Sequence, residues 1–169
     1  MVLSLSTRSP RKSRLKPKSE KENGPVSGRD AYYVAVDLLA RREHSRAELE
    51  AKLAKREFTE EQIASAFELL LQHDLQSDQR YVEDFVRSRI LKGNGPLKIS
   101  HELRARGVDA STVDDYLNCQ QIDWFEVATA TYEKKYRSND KIDAREQAKR
   151  VRFMQSKGFP GDIIFRLFK

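Results

Sequence analysis

The sequence predicts an all-α protein, an elongated tandem array of three three-helix repeats with about nine helices and a period of about 50 residues. Three observations carry this. Apolar residues recur at three- and four-residue spacing from Ala31 onward, and no stretch alternates with the period of two that a strand needs. Helix-start signals recur as well: Ser45 with Glu48, Thr59 with Gln62 and Asp143 with Glu146 each set a capping side chain three residues before an acid or amide. Finally, Arg56-Glu57-Phe58, Arg106-Gly107-Val108 and Lys157-Gly158-Phe159 lie 50 and 51 residues apart, and Leu53, Leu103 and Met154 keep that spacing, as do Ile63, Val113 and Ile164. The expected division is a basic tail over 1–28 and repeats over 29–75, 76–120 and 121–169.

Each element has its own reason. Residues 1–28 are rich in Ser, Lys, Arg, Pro and Gly with few apolar side chains, which predicts disorder; a solubilising tail, a polyanion contact and a transit peptide all fit that composition. The first helix carries Tyr32, Val36 and Leu39 on one stripe and ends at Arg41-Arg42-Glu43. Ser45 opens the second, which buries Leu49 and Leu53. Thr59 opens the third, stapled by Phe58 and Ile63 and running through Phe67, Leu70 and Leu71. Ser77 caps the fourth, with Tyr81, Phe85 and Ser88 or Arg89 inward. Pro96 suits the first turn of the fifth, Ile99 and Leu103 share its face, and Gly107 suits its left-handed closure. Asp109 caps the sixth, with Val108 and Val113 as a staple and Tyr116 and Leu117 following. Asp123 precedes a seventh on Trp124, Val127, Ala128 and Thr131. Asp143 opens an eighth through Val151 and Met154, and a ninth carries Phe159, Ile163, Ile164, Leu167 and Phe168. The copies are imperfect: Glu57 stands where the first repeat should close on glycine and Pro160 where the third should have a cap, so looser or shifted second helices are expected in the outer repeats.

The composition, 38% hydrophobic and 34% charged, describes a soluble, surface-rich chain, and no apolar run has the length of a membrane span. The apolar run in Met1–Ser6 is too short for a secretory signal, which predicts an intracellular, cytoplasmic protein. Cys119 stands alone, so neither a disulfide framework nor a thiolate zinc site is expected; it reads as a half-buried helix residue. His44, His73 and His101 are too far apart for a metal motif and read as surface groups, and Ala105 stands where a zincin needs its second histidine. Gly93-Asn94-Gly95 lacks the Gly-Lys-Ser/Thr and the preceding strand of a phosphate loop. No enzyme, cofactor or metal is expected.

What remains is charge. The net +6 resides in residues 1–29; beyond them 24 basic and 24 acidic residues balance. Their signs alternate, net −5 over 30–79, +4 over 80–106, −6 over 107–133 and +7 over 134–169, which suits a chain that touches more than one kind of surface. The candidate binding residues are Arg87, Arg89 and Lys92 at the end of the fourth helix, Lys98, Arg104 and Arg106 on the fifth and its turn, and Lys134, Lys135, Lys149, Arg150 and Arg152 in the third repeat, with Arg137, Lys141 and Arg145 near them. Singly they read as solvated charges; together they can track a phosphate backbone or an acidic protein surface.

The stretch Ala35-Val36-Asp37-Leu38-Leu39-Ala40-Arg41-Arg42-Glu43-His44-Ser45-Arg46-Ala47-Glu48-Leu49 resembles the opening signature of the RecX regulatory proteins. Ser77-Asp78-Gln79-Arg80-Tyr81-Val82, then Gly95-Pro96-Leu97-Lys98-Ile99-Ser100-His101-Glu102-Leu103 with Gly107, and Arg152-Phe153-Met154-Gln155-Ser156-Lys157-Gly158-Phe159 follow in that family's order. The resemblance covers about residue 31 to the end. It implies a bacterial cytoplasmic modulator of the RecA recombinase, made of three three-helix repeats, that lies in the groove of the RecA nucleoprotein filament. There it restrains ATPase, filament growth and strand exchange in DNA repair, recombination and the SOS response, and contacts single- or double-stranded DNA more weakly. A monomer with no membrane contact is expected. Arg42, Ser45, Glu48, Leu49, Asp78, Gly95 and Gly107 read as caps, turns and core, and the eleven basic residues as RecA or DNA contacts. The alternative readings are a DNA-binding helical module acting without RecA, and a pure scaffold.

Overall fold

The structure, a computed structural model, describes residues 28–119, 122–136 and 143–169. The expected tail up to residue 27, Arg137 and Lys141 lie outside them. The described residues form nine helices and no strand: α1 (Gly28–Leu39), α2 (Arg46–Ala54), α3 (Glu60–Gln72), α4 (Asp78–Leu91), α5 (Pro96–Arg104), α6 (Ala110–Cys119), α7 (Trp124–Lys135), α8 (Ala144–Ser156) and α9 (Gly161–Leu167). They pack in threes around three successive cores.

Each core collects the side chains that period and caps bring to one face. Leu49, Leu53 and Leu70 are fully buried in the first, Val82, Ile99, Leu103 and Val113 in the second, Ala128 and Met154 in the third. Burying one such large side chain stabilises by ~1.5–3 kcal/mol. Trp124 packs against both the second and the third core. The inward face of α1 differs from the expected stripe on Tyr32, Val36 and Leu39: Ala31 and Ala35 are fully buried with Ala66 of α3, and the larger residues flank them. Small side chains at this contact let the two helices pack closely. Two further expectations shift by about one residue. Leu71 is exposed beyond the buried face made by Ile63, Ala66, Phe67 and Leu70, and α4 turns Tyr81, Val82 and Val86 inward, leaving Phe85 half-buried at its edge.

The repeat is clearest in the turn that closes each second helix. Phe58 N–H donates to Leu53 O (3.4 Å), Val108 to Leu103 (3.3 Å) and Phe159 to Met154 (3.2 Å). Each bond spans a left-handed residue: Glu57 (φ 66°), Gly107 (φ 73°) and Gly158 (φ 86°). This is the Schellman closure. The first repeat makes it with a non-glycine, so α2 is neither loose nor shifted and matches α5 at nine residues. In the third repeat Gly158 closes α8, while Pro160 precedes α9 without a side-chain cap and that helix is only seven residues long.

Capping follows the sequence in part. Thr59 and Gln62 form both halves of a capping box. Ser45, Ser77, Asp123 and Asp143 accept the N-terminal amides of their helices, and Asp109 accepts the Ser111 N–H at 2.9 Å. Glu48 and Glu146, however, do not reach back to their caps; arginines engage them instead. Two polar residues are also placed against expectation. His44 is 3% exposed rather than on the surface, because it sits where the first two domains meet, and Cys119 is exposed at the end of α6 rather than half-buried.

Candidate functional site

Neighbouring domains join by a common device: the start of one domain's second helix faces the closing turn of the next domain's second helix. At the first junction Ser45 Oγ donates to Arg106 O at 2.8 Å and accepts from Glu48 N–H at 3.1 Å. Asp78 accepts the Arg46 N–H at 2.8 Å. Glu48, 18% exposed, accepts from Arg42 (3.1 Å), pairs with Arg106 (3.4 Å) and receives the Tyr81 hydroxyl (3.3 Å). Burial, with Glu48 beside it, pushes the Tyr81 phenol up to about 12, so it stays a donor. At the second junction the glycine in the place of Ser45 lets backbones meet: Gly95 N–H donates to Lys157 O at 2.7 Å and Leu97 N–H to Gly158 O at 3.1 Å.

Each junction opens onto a concavity. The first, about 340 Å³, is walled by Arg42, Glu48, Tyr81, Phe85, Arg89 and Arg106 among others. Arg89 and Arg106 stand 4.3 and 4.8 Å from the Phe85 ring centre, and Arg89 is bonded to Glu102 at 2.6 Å. These two candidate binding residues are therefore spent largely inside the protein. The second concavity, about 520 Å³, runs between the end of α4 and helices α7 and α8. It gathers Lys92, Lys134 and Lys135 from the expected set and adds Lys157, over a floor of Ile90, Leu91, Val127, Ala130 and Phe153. Lys157 Nζ donates to Lys92 O at 3.2 Å, tying the two rims together.

The remaining candidates are dispersed. Arg87 is exposed and paired with Glu83 at 2.8 Å; Arg104 is exposed, and its Nη2 donates to both Asp114 carboxylate oxygens at 2.7 and 2.9 Å. Lys98, Lys149 and Arg152 are exposed, with Lys149 near Glu146. Arg150 is the clear correction to a surface role. It is 9% exposed, donates to the Tyr132 hydroxyl at 2.8 Å and to Glu146 at 3.1 Å, and lies over the Tyr136 ring. Those bonds, the one to Tyr132 first, hold its guanidinium protonated, and Arg150 in turn lowers the Glu146 carboxyl. Lys157 was missed because its place in a closing turn read as structural; its spacing from Lys92 across the array carries no local signal. Among the described residues no group of His, Cys, Asp and Glu has metal-holding geometry, and no helix is long and apolar enough to cross a membrane.

Models of the first, second and third three-helix domains of RecX match residues 31–68, 77–117 and 121–168. The Regulatory protein RecX of Ectopseudomonas mendocina is 43% identical over 135 residues, 80% of this chain and 90% of the relative. The chain belongs to the RecX family. The Regulatory protein RecX of Halorhodospira halophila, at 40% identity over 77% of this chain and 81% of its own length, agrees. The crystal structure of RecX from Lactobacillus salivarius superposes with a TM-score of 0.71 at 25% identity, covering 83% of this chain and 94% of that one. RecX proteins are regulatory proteins, not enzymes, and the three domains of the family are the three cores described above.

Proposed function

We propose that this RecX-family chain binds the RecA nucleoprotein filament, bridges neighbouring protomers and restrains ATPase, filament growth and strand exchange, as a cytoplasmic monomer with weaker, non-specific DNA contacts. Family membership supports the target. The observation that carries the site is the lysine-rimmed groove at the second junction, which sets Lys92, Lys134, Lys135 and Lys157 around one concavity. Exposed Lys98, Lys149 and Arg152 extend the cationic surface, with Arg87 and Arg104 available by exchange of exposed ion pairs that are individually weak. Arg89, Arg106 and Arg150 support that surface from within. Three domains in series offer one filament several small contacts, and contacts made in series add in avidity.

The test is RecA ATPase on preformed filaments. Wild-type protein inhibits it, and a Lys134→Glu/Lys135→Glu variant inhibits at least several-fold less at equal concentration, because rim charges govern encounter with an acidic partner. An ATPase unchanged at saturating protein overturns the reading. So does equal affinity for DNA alone with a steep salt dependence, which would make this a DNA-binding module acting without RecA.

A further inference from the structure

The groove between the second and third domains combines two properties that seldom share one concavity. Its rim is cationic, and its floor is aliphatic and open: Leu91 is 79% exposed although it lies at the end of a well-packed helix. An exposed leucine beside further apolar lining marks a contact surface more than a solvated one. We infer that this groove takes an acidic amphipathic segment of a protein partner, seated with its apolar residues on Leu91 and its carboxylates against Lys92, Lys134, Lys135 and Lys157. The inference rests on the proposed function only for which protein supplies the segment.

The composition of the groove chooses a peptide over a nucleic acid. Single strands bind where bases stack on open aromatic faces. The one ring here, Phe153, is half-buried and already covered by Lys135, whose Nζ stands 3.7 Å from the ring centre. Phosphates would satisfy the lysines and leave Leu91 in water. Glu126, also on the wall, repels a phosphate backbone but suits a peptide carrying one basic residue. Charge complementarity and an aliphatic floor together are the pattern of a helix laid in a groove, its anchors at i, i+3 or i+4 and i+7.

The experiment uses the full chain and a fluorescein-labelled helical peptide with leucines at those anchor positions and glutamates at the others, titrated by anisotropy. Its lysine twin and an unlabelled oligo-dT serve as competitors. The glutamate peptide binds; Leu91→Asp and, separately, Lys134→Glu/Lys135→Glu each weaken it by at least about tenfold, as expected for groove-centre anchors and their charge partners. Lys55→Glu/Arg56→Glu, an equal charge change on the exposed first domain, leaves it unchanged. Neither competitor displaces it. Leu91 is exposed within the open groove and belongs to no core, so its variant keeps the wild-type circular dichroism and melting. Peptide affinity unmoved by Leu91→Asp, or displacement by oligo-dT, overturns the inference. RecA inhibition measured on the same variants separates the two readings. A variant that loses the peptide but retains full inhibition leaves the groove standing and removes it as the filament contact; a wild-type chain that inhibits RecA but binds no peptide overturns the inference and leaves the proposed function standing.

Discussion

The two junctions solve one docking problem with different chemistry. Ser45 and Gly95 occupy the same place in the repeat, as do Glu48 and Lys98. A hydroxymethyl group at Ser45 spaces the first junction, which is then filled by side chains: Ser45 to Arg106 O, Glu48 among Arg42, Arg106 and Tyr81, Arg80 to Glu43. With no side chain at Gly95 the backbones touch, and two amides donate to Lys157 O and Gly158 O while Trp124 joins the neighbouring cores. A joint made of charged, partly exposed side chains responds to salt and pH; one made of amide bonds and a half-buried indole responds mainly to shape.

The contrast can be broken most strongly at Gly158. Its φ of 86° and the Lys98 N only 2.5 Å from where a Cβ would stand make Gly158→Ala cost about 3 kcal/mol by left-handed strain and overpacking against backbone, read as a shift in the urea midpoint. A loss under 1 kcal/mol would mean the two backbones are not in contact. Gly107→Ala is the milder counterpart: its added Cβ meets only the methyl of Ala47. It costs about 2 kcal/mol, and a second change, Ala47→Gly, recovers the collision and leaves the strain. Glu48→Gln removes the charge at the centre of the first junction and costs ~1–2 kcal/mol in dilute buffer, less in high salt because the site is partly exposed. Salt-independent loss would contradict an electrostatic joint.

The first junction also has a pH dependence. Burial, then Arg42, lowers the His44 imidazole below its ordinary value, and its Nε2 is buried without a partner. The folded chain therefore takes this proton less readily than the unfolded chain. Stability from His44 is whole above about pH 6.5 and is lost as pH falls from there through the lower folded value. Melting followed from pH 7.5 to 5 shows the slope, and His44→Gln flattens it; equal slopes would remove His44 as the cause. The smallest effect belongs to Glu57→Gly, which relieves a left-handed side chain at a turn on which no domain is docked among the described residues, and raises stability by about 0.5 kcal/mol.

Helix order, closing turns and three cores were legible because each rests on local signals: caps, staples and a spacing of 50 and 51 residues. Three kinds of feature were not. The alanine face of α1 hides from a periodicity weighted toward large side chains, yet small ones are what permit close packing. The engagement of Glu48 by Arg106, and the burial of His44 and Arg150, depend on partners 18 to 58 residues away, which no local pattern contains. At the candidate site, Lys92, Lys134 and Lys135 were recognisable as basic clusters, but their union with Lys157 and Leu91 into one groove comes only from the second junction's geometry.

The ends of the chain's stack follow from the same geometry. At the leading turn Glu57 carries a Cβ where both occupied turns have room only for hydrogen. At the trailing end Glu146 stands at the repeat position of Ser45 and Gly95, but α8 begins at Ala144, and the Glu146 amide is already bonded to Asp143 at 2.7 Å. The plug has grown a side chain and the socket has been wound into helix. Neither end of the described three-domain stack therefore presents the half-joint that the two inner junctions use.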